Sequence, residues 1–157
     1  MDLFAILLFL HVLGAIVAFG PGFAAMVVGP MVAKEPQHAN FYARTQLATA
    51  RSIITPVAIS MAVTGIGLIM VRGWGTITAD RRWLEVSILL YVVALVYSMA
   101  IQAPAGRKLV ELTATPPAPG SGPNPEIRKT AARVRTGGIV LSLLTVAILF
   151  LMVAKPF

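Results

Sequence analysis

Cysteine is absent from this chain of 157 residues. Its absence excludes structural disulfides, thiolate catalysis, iron–sulfur clusters and cysteine-based zinc sites in one step. Charge is scarce as well: Lys, Arg, Asp and Glu make up 12% of the residues, against about 25% in an average soluble domain. With 57% hydrophobic residues, too few polar side chains remain to cover a water-soluble globule of this size. Acidic residues are the scarcest charged class, six against thirteen basic ones, for a net charge of +7. That surplus lies between apolar segments and has no stripe of interleaved aromatics beside it, so nucleic acid is not an expected partner. Basic residues so placed meet anionic lipid headgroups and fix orientation in a bilayer. There is also no Gly-rich phosphate loop, no Ser/His/Asp set, no pair of carboxylates and no cluster of metal-ligating side chains. Catalysis by side chains alone is not expected.

What is present is apolar length. Four runs can each cross a hydrocarbon core, which takes about 20 helical residues: Leu3 to Val32, Ile53 to Val71, Leu84 to Ile101 and Gly138 to Ala154. In lipid the backbone must satisfy its own hydrogen bonds, so such runs are helices. The fold class is therefore all-α, a bundle of four transmembrane helices in a single membrane domain spanning 1–157. The first run is too long for a perpendicular crossing, since 30 residues at about 1.5 Å each give roughly 45 Å against a core of about 30 Å. A kink at Phe19-Gly20-Pro21-Gly22 can absorb the excess, because Pro21 lacks an N–H and presses on the carbonyl of Val17. A cleaved signal peptide is the weaker reading of this run, because no Lys or Arg precedes it.

The connections carry the charge. Lys34 to Ser52 has room for a short interfacial helix around Ala39 to Ala50. Trp74 and Trp83 flank apolar runs and read as anchors at headgroup level. The segment 114–125 holds Pro116, Pro117, Pro119, Pro123 and Pro125 and reads as a mobile linker. Glu126 to Thr136 reads as a helix lying on headgroups before the fourth crossing. Nine cations follow the first and third helices (Lys34, Arg44, Arg51, Arg107, Lys108, Arg128, Lys129, Arg133 and Arg135), and four lie on the other side (Arg72, Arg81, Arg82 and Lys155). The positive-inside rule then places both termini outside the cytoplasm of a bacterial inner membrane.

Polar residues within the apolar runs are few. On the first helix His11, Gly14, Ala18, Gly22, Ala25 and Gly29 recur at steps of three and four and fall on one stripe. Small-xxx-small stripes are the surfaces along which membrane helices approach closely, so the His11 imidazole should face protein. Ser60, Thr64 and Gly67 line one side of the second helix, Ser87, Tyr91, Ala94 and Ser98 one side of the third, and Gly138, Ser142 and Thr145 one side of the fourth. Their simplest role is to bond their own backbone or a neighbouring helix. His11 is the one ionisable residue deep in an apolar run. It could ligate haem iron or another metal, or carry a proton, or it could be a neutral packing residue bonded to a hydroxyl on an adjacent helix. Met26, Met61, Met70, Met99 and Met152 are second ligands by chemistry only, and His38 lies in a connection.

Leu10-His11-Val12-Leu13-Gly14-Ala15, followed by Phe19-Gly20-Pro21-Gly22-Phe23, resembles the first helix of a bacterial family of predicted integral membrane proteins (domain of unknown function 2269). Thr64-Gly65-Ile66-Gly67 and the stretch from Trp83 to Tyr91 fit that family too. The resemblance covers nearly the whole chain, on short and largely apolar motifs. The family is similar in turn to a group containing the copper-resistance D domain and the HemJ-type protoporphyrinogen oxidase. That similarity implies haem b as cofactor, with His11 at the position of a haem-linked His. The oxidase pattern also uses a Lys on a later helix, and no Lys lies within the later apolar runs here, so oxidase activity is not expected. Expected partners are anionic headgroups and either further copies of the chain or other membrane subunits. The competing functional expectations are an accessory subunit of a larger membrane complex and a small oligomeric transporter.

Overall fold

The four apolar runs become four long helices in the computed structural model, which describes residues 2–73, 81–115 and 124–156. Helix α1 spans Leu3–Lys34 and carries both Pro21 and Pro30 within it. The second long helix, Pro36–Val71, comprises a short 3-10 turn, α2 (Ala39–Thr49), a wide π turn at Ala50–Ile54 and α3 (Thr55–Val71). The third, Arg82–Thr113, comprises α4 (Arg82–Tyr97), a second π turn at Ser98–Gln102 and α5 (Ala103–Thr113). The fourth is α6, Pro125–Ala154. No strand occurs among the described residues.

The helices outrun the apolar runs that nucleate them. The expected short helix around Ala39 to Ala50 is α2, which runs on through the π turn into α3, and Glu126 to Thr136 is the first third of α6. Extending a helix costs far less than starting one. At 30 to 36 residues each, the four reach about 45 to 54 Å, well beyond a hydrocarbon core of about 30 Å. Each π turn ends two residues before a proline, Pro56 or Pro104. A proline ring would clash with the carbonyl four residues earlier, that of Ser52 or Ala100. The wider turn relieves that crowding, with Thr55 N–H reaching back to Ala50 and Ala103 N–H to Ser98. The expected linker 114–125 is shorter at its far edge, because Pro125 opens α6 and the Asn124 side chain caps Glu126 N–H at 2.9 Å. Residues 116–123 of that linker, and Trp74, lie outside the described residues.

The bundle is two antiparallel hairpins. Helix α1 packs along α3, and α4 packs along α6. Within the apolar zone, Tyr91 O–H donates to the Ala58 carbonyl of α3 at 2.5 Å and joins one hairpin to the other. The firmer join is at the basic end, where α2 packs on α5. There Asn40 Nδ2 donates to the Val110 carbonyl at 3.0 Å and to Thr113 Oγ1 at 3.1 Å. Within the second hairpin Lys108 pairs with Glu126 at 2.6 Å, and Gln102 Nε2 donates to the Val134 carbonyl at 2.9 Å. The opposite end is closed by cations over rings: Arg72 lies 4.1 Å from the Phe4 centroid and Lys155 lies 5.4 Å from that of Trp83. Trp83 is only 6% exposed, so it packs against protein rather than standing free as a headgroup anchor.

Two glycines show how closely the helices approach. A Cβ at Gly137 would overlap Gln102 Oε1 and stand 3.2 Å from the Tyr97 hydroxyl. Gln102 Oε1 is buried with no conventional donor among the described residues, and it occupies the place that a Gly137 Cβ would take. A Cβ at Gly20 would meet nothing within 4 Å. Gly137→Ala should therefore destabilise the protein in detergent by about 1–3 kcal/mol through overpacking, while Gly20→Ala should be neutral. Matching melting temperatures for the two variants would show that the α4–α6 contact yields freely.

Candidate functional site

The seam between α1 and α3 holds the residues that the sequence marks out. Because the two helices run antiparallel, positions meet in a descending register. Leu7 lies over Gly67, His11 over Thr64 and Gly65, and Gly14 against Met61 and Val57. Side chain and glycine alternate across the seam. Leu7 and His11 of α1 fill the space left by Gly67 and Gly65 of α3, and Met61 of α3 fills the space left by Gly14. A Cβ at Gly65 would stand 3.3 Å from His11 Cε1, and one at Gly14 would stand 2.7 Å from Met61 Cγ. Contact this close substitutes dispersion and small-residue packing for the hydrophobic force that lipid does not supply.

The remaining stripe residues of α1 divide among other neighbours. Ala18 is buried, like Gly14, and Ala25 is half-buried. Gly22 faces α6, where a Cβ would stand 3.8 Å from Ser142 Oγ, and Gly29 faces α2, 3.7 Å from the Tyr42 hydroxyl. One face of α1 thus meets three partners in turn, α3, then α6, then α2.

His11 is half-buried in this seam, with Nδ1 3.0 Å from Thr64 Oγ1. Thr64 Oγ1 also lies 3.0 Å from the Ser60 carbonyl and 3.2 Å from the Met61 carbonyl of its own helix. The other hydroxyls act locally or bridge helices: Ser60 donates to the Val57 carbonyl, fully buried Ser87 to the Trp83 carbonyl, and Tyr91 to α3. Sequence reasoning named these residues but not their partners, because a helical wheel shows which face a residue occupies and not what opposes it. Gly65 and Gln102 were missed as contact residues. Only the spacing of Gly65 beside Thr64 could have pointed to the first, and nothing in the sequence signals the second.

Of the five methionines weighed as second ligands, Met61 alone enters the seam at 9% exposure. Met26, Met70 and Met99 are exposed, and His38 pairs with Glu35 at 3.5 Å on the exposed basic end. Among the described residues no three His, Asp or Glu side chains converge on a point. Two surface hollows among the described residues lie at the bundle ends, one lined by Pro125, Arg128, Lys129 and Ala132, the other by Asp2, Phe4, Val71 and Arg72.

Residues 5–156 match the family model described as a predicted integral membrane protein (DUF2269). The chain belongs to this family. No curated protein and no solved structure matches it. Membership agrees with four helices long and apolar enough to span a bilayer, and it extends over both hairpins and the basic end alike.

Three substitutions separate packing from chemistry on α1. His11→Ala should insert and fold, since it trims a half-buried ring. Gly14→Leu should lower thermal stability in detergent more than Gly22→Leu, because Met61 is far closer to Gly14 than Ser142 is to Gly22. Equal stability of wild type and both leucine variants would disprove the assignment of this face.

Proposed function

We propose that this family member is an inner-membrane haem-binding protein, with His11 as an axial ligand of haem b and no side-chain catalysis of its own. The observation that carries the reading is a single imidazole deep in the apolar zone, held in the α1–α3 seam by Thr64 through one ring nitrogen. A metal bound by protein side chains alone needs several of them to converge, and the described residues offer no such cluster. Haem differs in bringing four porphyrin nitrogens, so one imidazole suffices to hold its iron. The chemistry fits at the level of the donor. Haem bound there would supply a one-electron centre for electron transfer or tetrapyrrole chemistry. The chain's own part would be to present the ligand nitrogen and to keep water away with Leu7, Met61 and Val57. Oxidase chemistry of the HemJ type is not part of the proposal, because Lys108, on the continuation of the third helix, is paired with Glu126 at the basic end.

The proposed orientation puts the basic end in the cytoplasm, against anionic headgroups. Helices α2, α5 and the start of α6 bring Arg44, Arg107, Lys108, Arg128 and Lys129 together there, while Arg72 and Lys155 lie at the other end. Because the chain has no cysteine, single-cysteine variants report sidedness cleanly. Asn124→Cys in intact cells should resist a membrane-impermeant maleimide and react after permeabilisation; ready labelling in intact cells would reverse the topology.

A second reading, as a subunit of a homo-oligomer or larger membrane complex, draws on how little the single chain buries. Six hydrophobic side chains are buried among the described residues, and large apolar residues from Leu3 to Val153 remain exposed. The deciding measurement is the ultraviolet–visible spectrum of the purified protein, oxidised and reduced, beside His11→Ala. A Soret band that the variant loses is the expected result. A featureless spectrum after addition of haem b would remove the haem reading and leave the subunit reading, which native mass spectrometry would then address.

A further inference from the structure

The hydrogen bonds around Thr64 constrain more than the position of His11. A backbone carbonyl can only accept, so a hydroxyl lying 3.0 Å from the Ser60 carbonyl and 3.2 Å from the Met61 carbonyl spends its one proton there. Thr64 Oγ1 then has only lone pairs to offer the ring. The 3.0 Å contact with His11 Nδ1 is a hydrogen bond only if Nδ1 carries the proton and donates it. In a neutral imidazole the other nitrogen is then the acceptor. Among the described residues the ring's side-chain hydrogen bond is the one at Nδ1, and the Met61 carbonyl beside Thr64 is a further acceptor for the ring N–H. Gly65 completes the arrangement. A Cβ there would stand 3.3 Å from Cε1 and 3.7 Å from Nδ1, so its absence lets the Cε1–Nδ1 edge of the ring lie against α3. With that edge turned to the helix, the Nε2 side is turned away from it.

We infer that Thr64 and Gly65 are positioning residues that fix His11 as the Nδ1–H tautomer and thereby make Nε2 a preformed electron-pair donor toward one transition-metal centre. Such outer partners hold a ligating imidazole in its tautomer and orientation, and losing one typically weakens metal affinity by about 10- to 100-fold. The inference rests on the haem reading for the identity of the ligand, but not for the tautomer, which is a property of the ligand-free chain. It assigns a role to two α3 residues that touch no ligand themselves. It also separates the two uses of the hydroxyl. Thr64 caps its own helix carbonyls with its proton and orients the imidazole with its lone pair.

The test is nitrogen NMR of the full chain in lipid nanodiscs, with histidine labelled at both ring nitrogens. The sequence has two histidines, so His38→Gln on the exposed end leaves His11 as the single signal. The expected spectrum shows a protonated Nδ1 and an unprotonated Nε2 before any haem is added. Thr64→Ser should keep that pattern, and Thr64→Val should lose it and bind added haem b about 10- to 100-fold more weakly. A proton on Nε2, or rapid averaging between nitrogens in the unsubstituted seam, would overturn the inference whatever the variants do. The expected tautomer with no Soret band on adding haem b would sink the haem reading alone. Unchanged haem affinity in a folded Thr64→Val protein would remove Thr64 from the positioning role.

Discussion

Inside a bilayer, helices gain nothing by hiding apolar surface from lipid, so a bundle holds together only where backbones come close enough for dispersion and polar contacts to act. The α1–α3 seam is where that condition is met most fully. Leu7 and His11 fill the spaces opposite Gly67 and Gly65, and Met61 fills the one opposite Gly14. The alternation fixes rotation and register of the two helices together. A slip of α1 by one residue would set Leu7 and His11 against positions that already carry side chains. Everything said of the imidazole follows from this fit, because the ring reaches Thr64 only when the glycines are in step.

The rest of the molecule is held by a different kind of contact. At the basic end the helices leave the apolar zone, and there Asn40, Gln102 and the Lys108–Glu126 pair join α2, α5 and α6. Exposed ion pairs contribute little individually, whereas Asn40 and Gln102 each bond a carbonyl on a neighbouring helix and so fix its height. Between this end and the seam, the two hairpins are joined in the apolar zone chiefly by Tyr91 on the Ala58 carbonyl and by Gly22 against Ser142. The hairpins are thus tied firmly at one end and lightly in the membrane.

The fold class was legible because runs of apolar residues have one solution in lipid. Helix ends were not. Gly138 marks where α6 enters hydrocarbon, yet the helix begins at Pro125, since hydropathy reports the solvent and not the hydrogen bonding. The π turns could be suspected only in retrospect from Pro56 and Pro104, as Pro21 and Pro30 sit in α1 with no such turn. Trp83 illustrates the opposite failure: its position at the end of an apolar run suits a headgroup anchor, and a neighbour from a distant part of the chain, Lys155, covers it. At the candidate site the α1 stripe was readable by periodicity. Which helix each member meets was not, because periodicity on one helix carries no information about the register of another.

The packing and ligand readings of His11 lead to different demands on the two ring nitrogens. A histidine kept only for packing needs its polar atoms satisfied, and in a membrane interior the expectation is that all of them are. Thr64 meets that need at Nδ1, as the packing reading requires. The ligand reading is the one that gives Nε2 a use of its own. A residue of the same shape without the second nitrogen would fill the space against Gly65 equally well, and the methionine that fills the matching space at Gly14 does so without a ring nitrogen. On the ligand reading the hydroxyl and the glycine on α3 do more than accommodate a ring: one sets where its proton is, and the other sets which edge meets α3. Both would then serve a chemistry that resides on the nitrogen they do not touch.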